Sequence, residues 1–168
     1  MRSTSPAEVR SILERHKDAG FHVDSRLLEE LERPGKLFVG VLSTSTELFR
    51  LVWQSIEAAR PLVPVDEPRT LLDCATRLEP FGWSFEALVG QGYPWFEKCV
   101  RIDQSFDYSK LGCIAVTPLV EAEGNGNPRG SYYIYDGVHK SIVLAKRLLQ
   151  RELEFRPVEV LLLTPRRH

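Results

Sequence analysis

The amino-acid sequence predicts an α+β fold, on three observations. Residues 131–163 (SYYIYDGVHKSIVLAKRLLQRELEFRPVEVLLL) run through a strand, a tight turn, a helix and a second strand in order. The β-rich run from Tyr132 to Tyr135 is broken by Asp136-Gly137, and helical spacing takes over from Ser141 to Leu153. Lys36 to Leu42 (KLFVGVL) is a second short apolar run between turn signals, hence a strand. The N-terminal stretch instead carries helix signals. Ser5 is placed as an N-cap, Pro6 at the first helical position and Glu8 for a capping box, and the helix is expected to reach Ala19 before Gly20. Asp24 or Ser25 caps a second helix that ends before Pro34-Gly35, which makes a helical hairpin.

Between these landmarks the pattern is mixed. Any of Ser43 to Thr46 can cap a helix from Glu47 to Ala59, whose Leu48, Phe49, Leu51, Val52 and Ile56 face a core. Three prolines, Pro61, Pro64 and Pro68, mark a connection, and Arg69 to Leu78 reads as a short helix. Residues 81–96 hold Trp83 and Trp95 among several glycines, with a helical turn at Ser84 to Val89. Aromatics this dense can stack a base or anchor a core, and the core reading is preferred. Cys113 to Ala122 is a strand, and Gly124 to Gly130 is a polar hairpin loop leading into the Tyr132 strand. That loop opens no helix, so it is not a dinucleotide fingerprint. The expected organisation is a mainly helical region at 1–100 packed on a core at 101–168, together one compact domain of 168 residues.

Composition narrows the class of protein. Hydrophobic residues make up 43% and charged residues 27%, and no apolar run has the length to span a bilayer, so no membrane insertion is expected. The polar start MRSTSPAEVR lacks the apolar stretch of a secretory signal, which predicts a cytoplasmic protein. Cys74, Cys99 and Cys113 are scattered and odd in number, so reduced, buried thiols are expected rather than zinc or disulfides. The net charge is only −1, but from Arg129 onward eight Lys or Arg face four acids. Such an excess is often just a solvated face. Here it surrounds the strand-to-helix turn.

That turn has the physics of an anion site. Gly137 lets backbone approach a phosphate, the amides of Val138 to Ser141 can donate to it, and Lys140 adds charge. It is not a P-loop, because Val138 and His139 separate Gly137 from the lysine that a P-loop glycine directly precedes. A lone histidine is usually a polar turn residue without chemistry. Its place between Gly137 and Lys140 raises the functional reading for His139.

Residues 132–146 (YYIYDGVHKSIVLAK), followed after a short loop by Arg156-Pro157-Val158-Glu159-Val160, resemble the phosphate-binding segment and closing strand of the ParB/sulfiredoxin superfamily. In that superfamily a strand ends in a G-x-H-R or G-E-R-R turn, and a helix leads to a strand often introduced by Ile-Pro-Val. The likeness covers the last third of the chain, with 113–122 able to supply the preceding strand; the first hundred residues align with nothing in the superfamily. It implies a small mixed sheet with flanking helices, preceded here by the N-terminal helical region. Several members hydrolyse nucleoside triphosphates and cut DNA, so the resemblance implies a Mg²⁺-dependent ATPase and DNase. Members of similar size include Osa-type plasmid fertility-inhibition proteins, which suppress conjugative or T-DNA transfer. DNA and a type IV secretion or conjugation component are the implied partners.

The implied roles map onto the turn. Gly137, Val138, Ser141 and Lys140 hold the phosphates of ATP, and His139 donates to the γ-phosphate or assists water. Asp136, with Glu121 or Glu123, holds Mg²⁺, and Arg129 adds charge for the transition state. Two departures matter. Val138 stands where sulfiredoxins carry a nucleophilic cysteine, which excludes sulfinic acid reduction, and Lys140 replaces an arginine and loses its bidentate fork. The alternative is a non-catalytic protein that binds DNA or a secretion partner through the same fold.

Overall fold

The computed structural model of the protein describes residues 2–5, 7–9, 11–12, 36–53, 56–64, 69–118 and 132–164. In chain order its strands are β1 (Arg2–Ser3), β2 (Lys36–Leu42), β3 (Val52–Trp53), β4 (Arg69–Thr70), β5 (Ile114–Pro118), β6 (Tyr132–Asp136) and β7 (Val158–Thr164). Its α-helices are α1 (Ser45–Phe49), α2 (Leu71–Thr76), α3 (Phe85–Gly90), α4 (Glu97–Gln104) and α5 (Val138–Leu149). The protein is thus mixed α and β, as expected. Its contacts divide into two units, one of 1–43, 107–137 and 157–168, the other of 44–106 and 138–156. The chain crosses between them several times.

The first unit is built on a mixed sheet in the order β1-β2-β7-β5-β6. β5 and β7 are parallel, with Ala115 opposite Leu161, while the β1/β2, β2/β7 and β5/β6 pairs are antiparallel. In register Val39, Leu161 and Ala115 form one row, and this row packs with Val9 and Ile12 from the helical residues near the N-terminus. Ser5 caps those residues, its Oγ accepting from the Glu8 amide at 3.2 Å, as its place before Glu8 predicts. The rest of the expected helical hairpin, and the polar loop with Glu121, Glu123 and Arg129, lie outside the described residues.

The second unit is organised around α5. Every residue from Lys140 to Lys146 is buried, so this stretch is enclosed on all sides rather than amphipathic. α5 starts at Val138 and ends at Leu149, three residues earlier and four earlier than its expected limits. Arg151, in the left-handed region at φ 57°, follows its last turn. α2, α4 and α1 pack on it. α2 and α3 begin where their caps direct, Thr70 Oγ1 and Ser84 Oγ each accepting an amide three residues on at 3.2 Å. Phe85 and Phe96 stack at 6.2 Å beneath them, both fully buried.

The expected helix from Glu47 to Ala59 is corrected. It begins in a capping box between Thr44 and Glu47 but ends at Phe49, and Val52–Trp53 then pair with Thr70 and Arg69. The pairing decides the outcome, and a β-branched residue beside an aromatic suits a strand. α4 was not anticipated at all. Its sequence EKCVRIDQ alternates charge with small apolar groups, and only Cys99 is fully buried.

What holds α4 is an ion cluster. Asp103 accepts from Lys146 Nζ, and from Arg147 Nε at 2.7 Å, while Arg147 also bonds the Asp103 carbonyl and reaches Glu152 at 3.2 Å. Asp103 is 13% exposed, so removing it leaves two cations facing each other in a poorly solvated place. Asp103→Ala is expected to cost about 2–4 kcal/mol of unfolding free energy in urea titration. Thr44→Ala, an exposed cap, is expected to cost only about 1 kcal/mol.

Candidate functional site

The turn begins at a bulge. Ala115 pairs with Asp136 while Val116 pairs with Ile134, so Tyr135 is an extra residue in β6. The bulge places Asp136 opposite Ala115, where regular pairing would put Tyr135, and leaves Tyr135 exposed. Asp136 Oδ1 then accepts the Gly137 amide at 2.7 Å. Gly137 has φ 92°, a conformation that a side chain strongly disfavours. The chain passes from it directly into α5.

As the residue before the helix, Gly137 brings no side-chain cap to the amides of Val138, His139 and Lys140, the first turn of α5. That first turn contains no acid and one lysine. The other described α-helices all carry an acid there: Glu47, Asp73, Glu86 and Glu97. A helix N-terminus is its positive end, and α5 alone among them opens with a cation and no acid to offset it. Lys140 is 8% exposed and Ser141 fully buried, so neither stands out on a surface.

His139 is half-buried and not alone. Its ring stacks on Trp95 with centroids 3.9 Å apart and planes at 21°. Trp95 stacks in turn on the buried Trp53 at 5.1 Å and meets Phe96 edge-on at 5.1 Å. Three rings already engage Trp95, which answers the choice between base platform and core anchor in favour of the anchor. Burial lowers the His139 pKa to about 4, with Lys98 contributing in the same direction and a backbone hydrogen bond to Trp95 opposing. The imidazole is therefore neutral at neutral pH.

Of the residues singled out from sequence, Asp136 and Gly137 close the first unit, and Val138, His139, Lys140 and Ser141 open α5 in the second. Glu121, Glu123 and Arg129 lie outside the described residues. No cluster of three or more His, Cys, Asp or Glu side chains able to hold a metal occurs among the described residues. Trp53, Trp95 and Lys98 are the neighbours that sequence reasoning missed. Only the density of aromatics around Trp95 hinted at them.

The three cysteines are buried thiols. Burial pushes the Cys74 pKa up to about 12 and raises that of Cys99 further still. No nucleophilic role fits either.

Searches of family models, curated proteins and solved structures find no match to this chain.

Two expectations follow from these environments. His139 has a folded pKa below the 6.5 of a free histidine, so between those values the unfolded chain binds more protons. Its contribution, on the order of 3 kcal/mol, is complete above pH 6.5 and disappears as pH falls toward 4. The stability difference between wild type and His139→Phe, measured by urea titration across that range, should show this slope. Iodoacetamide should leave Cys74 and Cys99 unlabelled in the folded protein and modify them on unfolding, as followed by mass spectrometry.

Proposed function

We propose that the chain binds the phosphates of a nucleotide at residues 136–141 and hydrolyses a nucleoside triphosphate there, in the manner of a ParB/sulfiredoxin-type ATPase and DNase. The carrying observation is the start of α5, which combines Gly137 at φ 92°, no acid in the first turn and a lysine at the helix's positive end. A lysine there costs roughly 0.3–1 kcal/mol by the helix dipole alone, and a bound anion would be attracted to both the lysine and the helix end. The element order strand, strand, helix, strand at β5, β6, α5 and β7 agrees with the superfamily pattern.

In this reading the amides of Val138 to Lys140 hold the phosphate oxygens and Lys140 offsets their charge. Mg²⁺ is commonly held by one or two carboxylates plus substrate phosphates, and Asp136 supplies one such group. When bound, the ion neutralises charge that develops on the phosphates. Asp136 Oδ1 is bonded to the Gly137 amide, which orients the carboxylate. Water attacks the γ-phosphorus, the bond to the bridging oxygen breaks, and a nucleoside diphosphate and phosphate leave. The same mouth would take a DNA phosphodiester, with inhibition of conjugative or T-DNA transfer as the biological setting and DNA or a secretion component as partner.

A second reading is a binding protein without turnover. The burial of Lys140 and Ser141 favours it, since both are well placed to fix the helix and poorly placed to move. The two separate cleanly in a phosphate-release assay with ATP and Mg²⁺. Turnover that falls more than tenfold in Lys140→Ala supports the enzyme. A thermal shift with ATP but no phosphate release supports binding alone, and neither signal removes the nucleotide site.

A further inference from the structure

α4 has two faces. Cys99 and Asp103, four residues apart, share one of them: Cys99 is fully buried, and Asp103 takes Lys146 and Arg147 of α5. Glu97, Val100, Arg101 and Gln104 recur at helical spacing on the other face. This second face meets α3, where Gln104 Nε2 donates to Glu86 Oε1 at 3.4 Å. Between the two helices lies an open groove of about 330 Å³, lined by Glu86 and Val89 of α3 and by Glu97, Val100 and Arg101 of α4. That volume falls at the small end of the roughly 300–1,000 Å³ typical of ligand pockets. The two valines supply apolar surface, and the other three lining residues are charged and exposed. Glu97 and Arg101 stand four apart in the order that favours an ion pair along a helix, yet among the described residues no ion pair joins them. Glu86 is held by neutral donors, Ser84 Oγ at 3.0 Å and the Gln104 amide. All three charges therefore remain open to a ligand.

We propose that the groove between α3 and α4 binds a free basic amino acid of the lysine type, with its carboxylate on Arg101, its two ammonium groups on Glu86 and Glu97, and its methylenes on Val89 and Val100. Two acids and one arginine leave the lining with one net negative charge. A ligand that matches it carries two cations, one anion and an aliphatic stem, which is the composition of free lysine at neutral pH. Arginine suits the carboxylate because its guanidinium can donate two parallel N–H bonds to the two oxygens. The four-carbon stem of lysine covers apolar surface while its head keeps its charge. An aliphatic amino acid would leave one of the acids without a partner, and a purely apolar ligand would leave all three charges so. The groove lies on the face of α4 opposite Asp103, and its occupancy does not depend on a phosphate at the start of α5.

The test is a chemical-shift titration of the nitrogen-15-labelled full-length protein with free L-lysine. The amide signals of Val89 and Val100 should move saturably. Three relatives of lysine each lack one charge: cadaverine has no carboxylate, 6-aminohexanoate no α-ammonium and norleucine no side-chain ammonium. Each should bind at least about tenfold more weakly, the loss of one charge-assisted contact. In Arg101→Gln the protein should no longer distinguish lysine from cadaverine, which ties Arg101 to the carboxylate rather than to folding. Absence of a saturable shift at Val89 and Val100 with lysine overturns the proposal, and so do equal affinities for lysine and the three analogues. Nα-acetyl-lysine amide keeps only the side-chain cation and should also bind weakly. If it binds as well as free lysine, the groove takes a lysine side chain of a protein and the proposal falls. Should Arg101→Gln fail to fold, the analogue series on wild type decides.

Discussion

The second unit depends on the pairing of α4 with α5. Asp103 lies between Lys146 and Arg147 at one end, and the Trp95 ring lies against His139 at the other. Trp95 and His139 are 44 residues apart, and so are Asp103 and Arg147, so the two segments run side by side in the same direction. Parallel neighbours cannot be joined by a short turn, and here the connection passes through β5 and β6 of the other unit. The ion cluster therefore works at a distance. By fixing the register of α4 against α5 it also fixes the ring contact at the first turn of α5. Phe85 and Phe106 receive the same two cations, Lys146 at 5.7 Å and Arg147 at 5.5 Å from the ring centroids, which adds apolar walls to the cluster.

Burial and electrostatics pull in different directions at the start of α5. Residues 140–146 are buried, and each fully buried Ile, Val or Leu among them contributes about 1.5–3 kcal/mol. Against that, a lysine near the positive end of the helix costs a fraction of a kcal/mol, so packing easily decides that the helix forms. The unfavourable charge is tolerated rather than needed for folding. That separation is what makes the turn a reasonable place for an anion, because the fold survives without one and gains when one binds. The half-buried, neutral His139 fits the same picture: it adds no further positive charge, and the aromatic stack gives its ring a fixed plane.

Local signals in the sequence carried much of this fold. The Lys36–Leu42 strand, the Tyr132–Asp136 strand, the cap at Ser5 and the glycine turn are all visible in a few adjacent residues, because turns, caps and alternation are short-range effects. The misread helix after Thr44 failed for an informative reason. Its apolar spacing suits a helix, but the pairing of Val52 and Trp53 with Thr70 and Arg69 outweighs the periodicity. α4 was hidden because its main stabilising partners lie 43 and 44 residues away in sequence. The site was legible to the same degree: the peptide from Asp136 to Ser141 stood out, while the aromatic stack that determines the state of His139 did not. Trp95 is contiguous with nothing in that peptide, and no periodicity announces the contact.

The central claim is that the amides opening α5 hold a phosphate. A crystal structure of the protein with a non-hydrolysable triphosphate analogue and Mg²⁺ tests it most directly. The account predicts phosphate density within hydrogen-bond distance of the Val138, His139 and Lys140 amides, with Gly137 still in its left-handed conformation. A nucleotide bound elsewhere on the molecule, with those amides turned to protein or solvent, would contradict it.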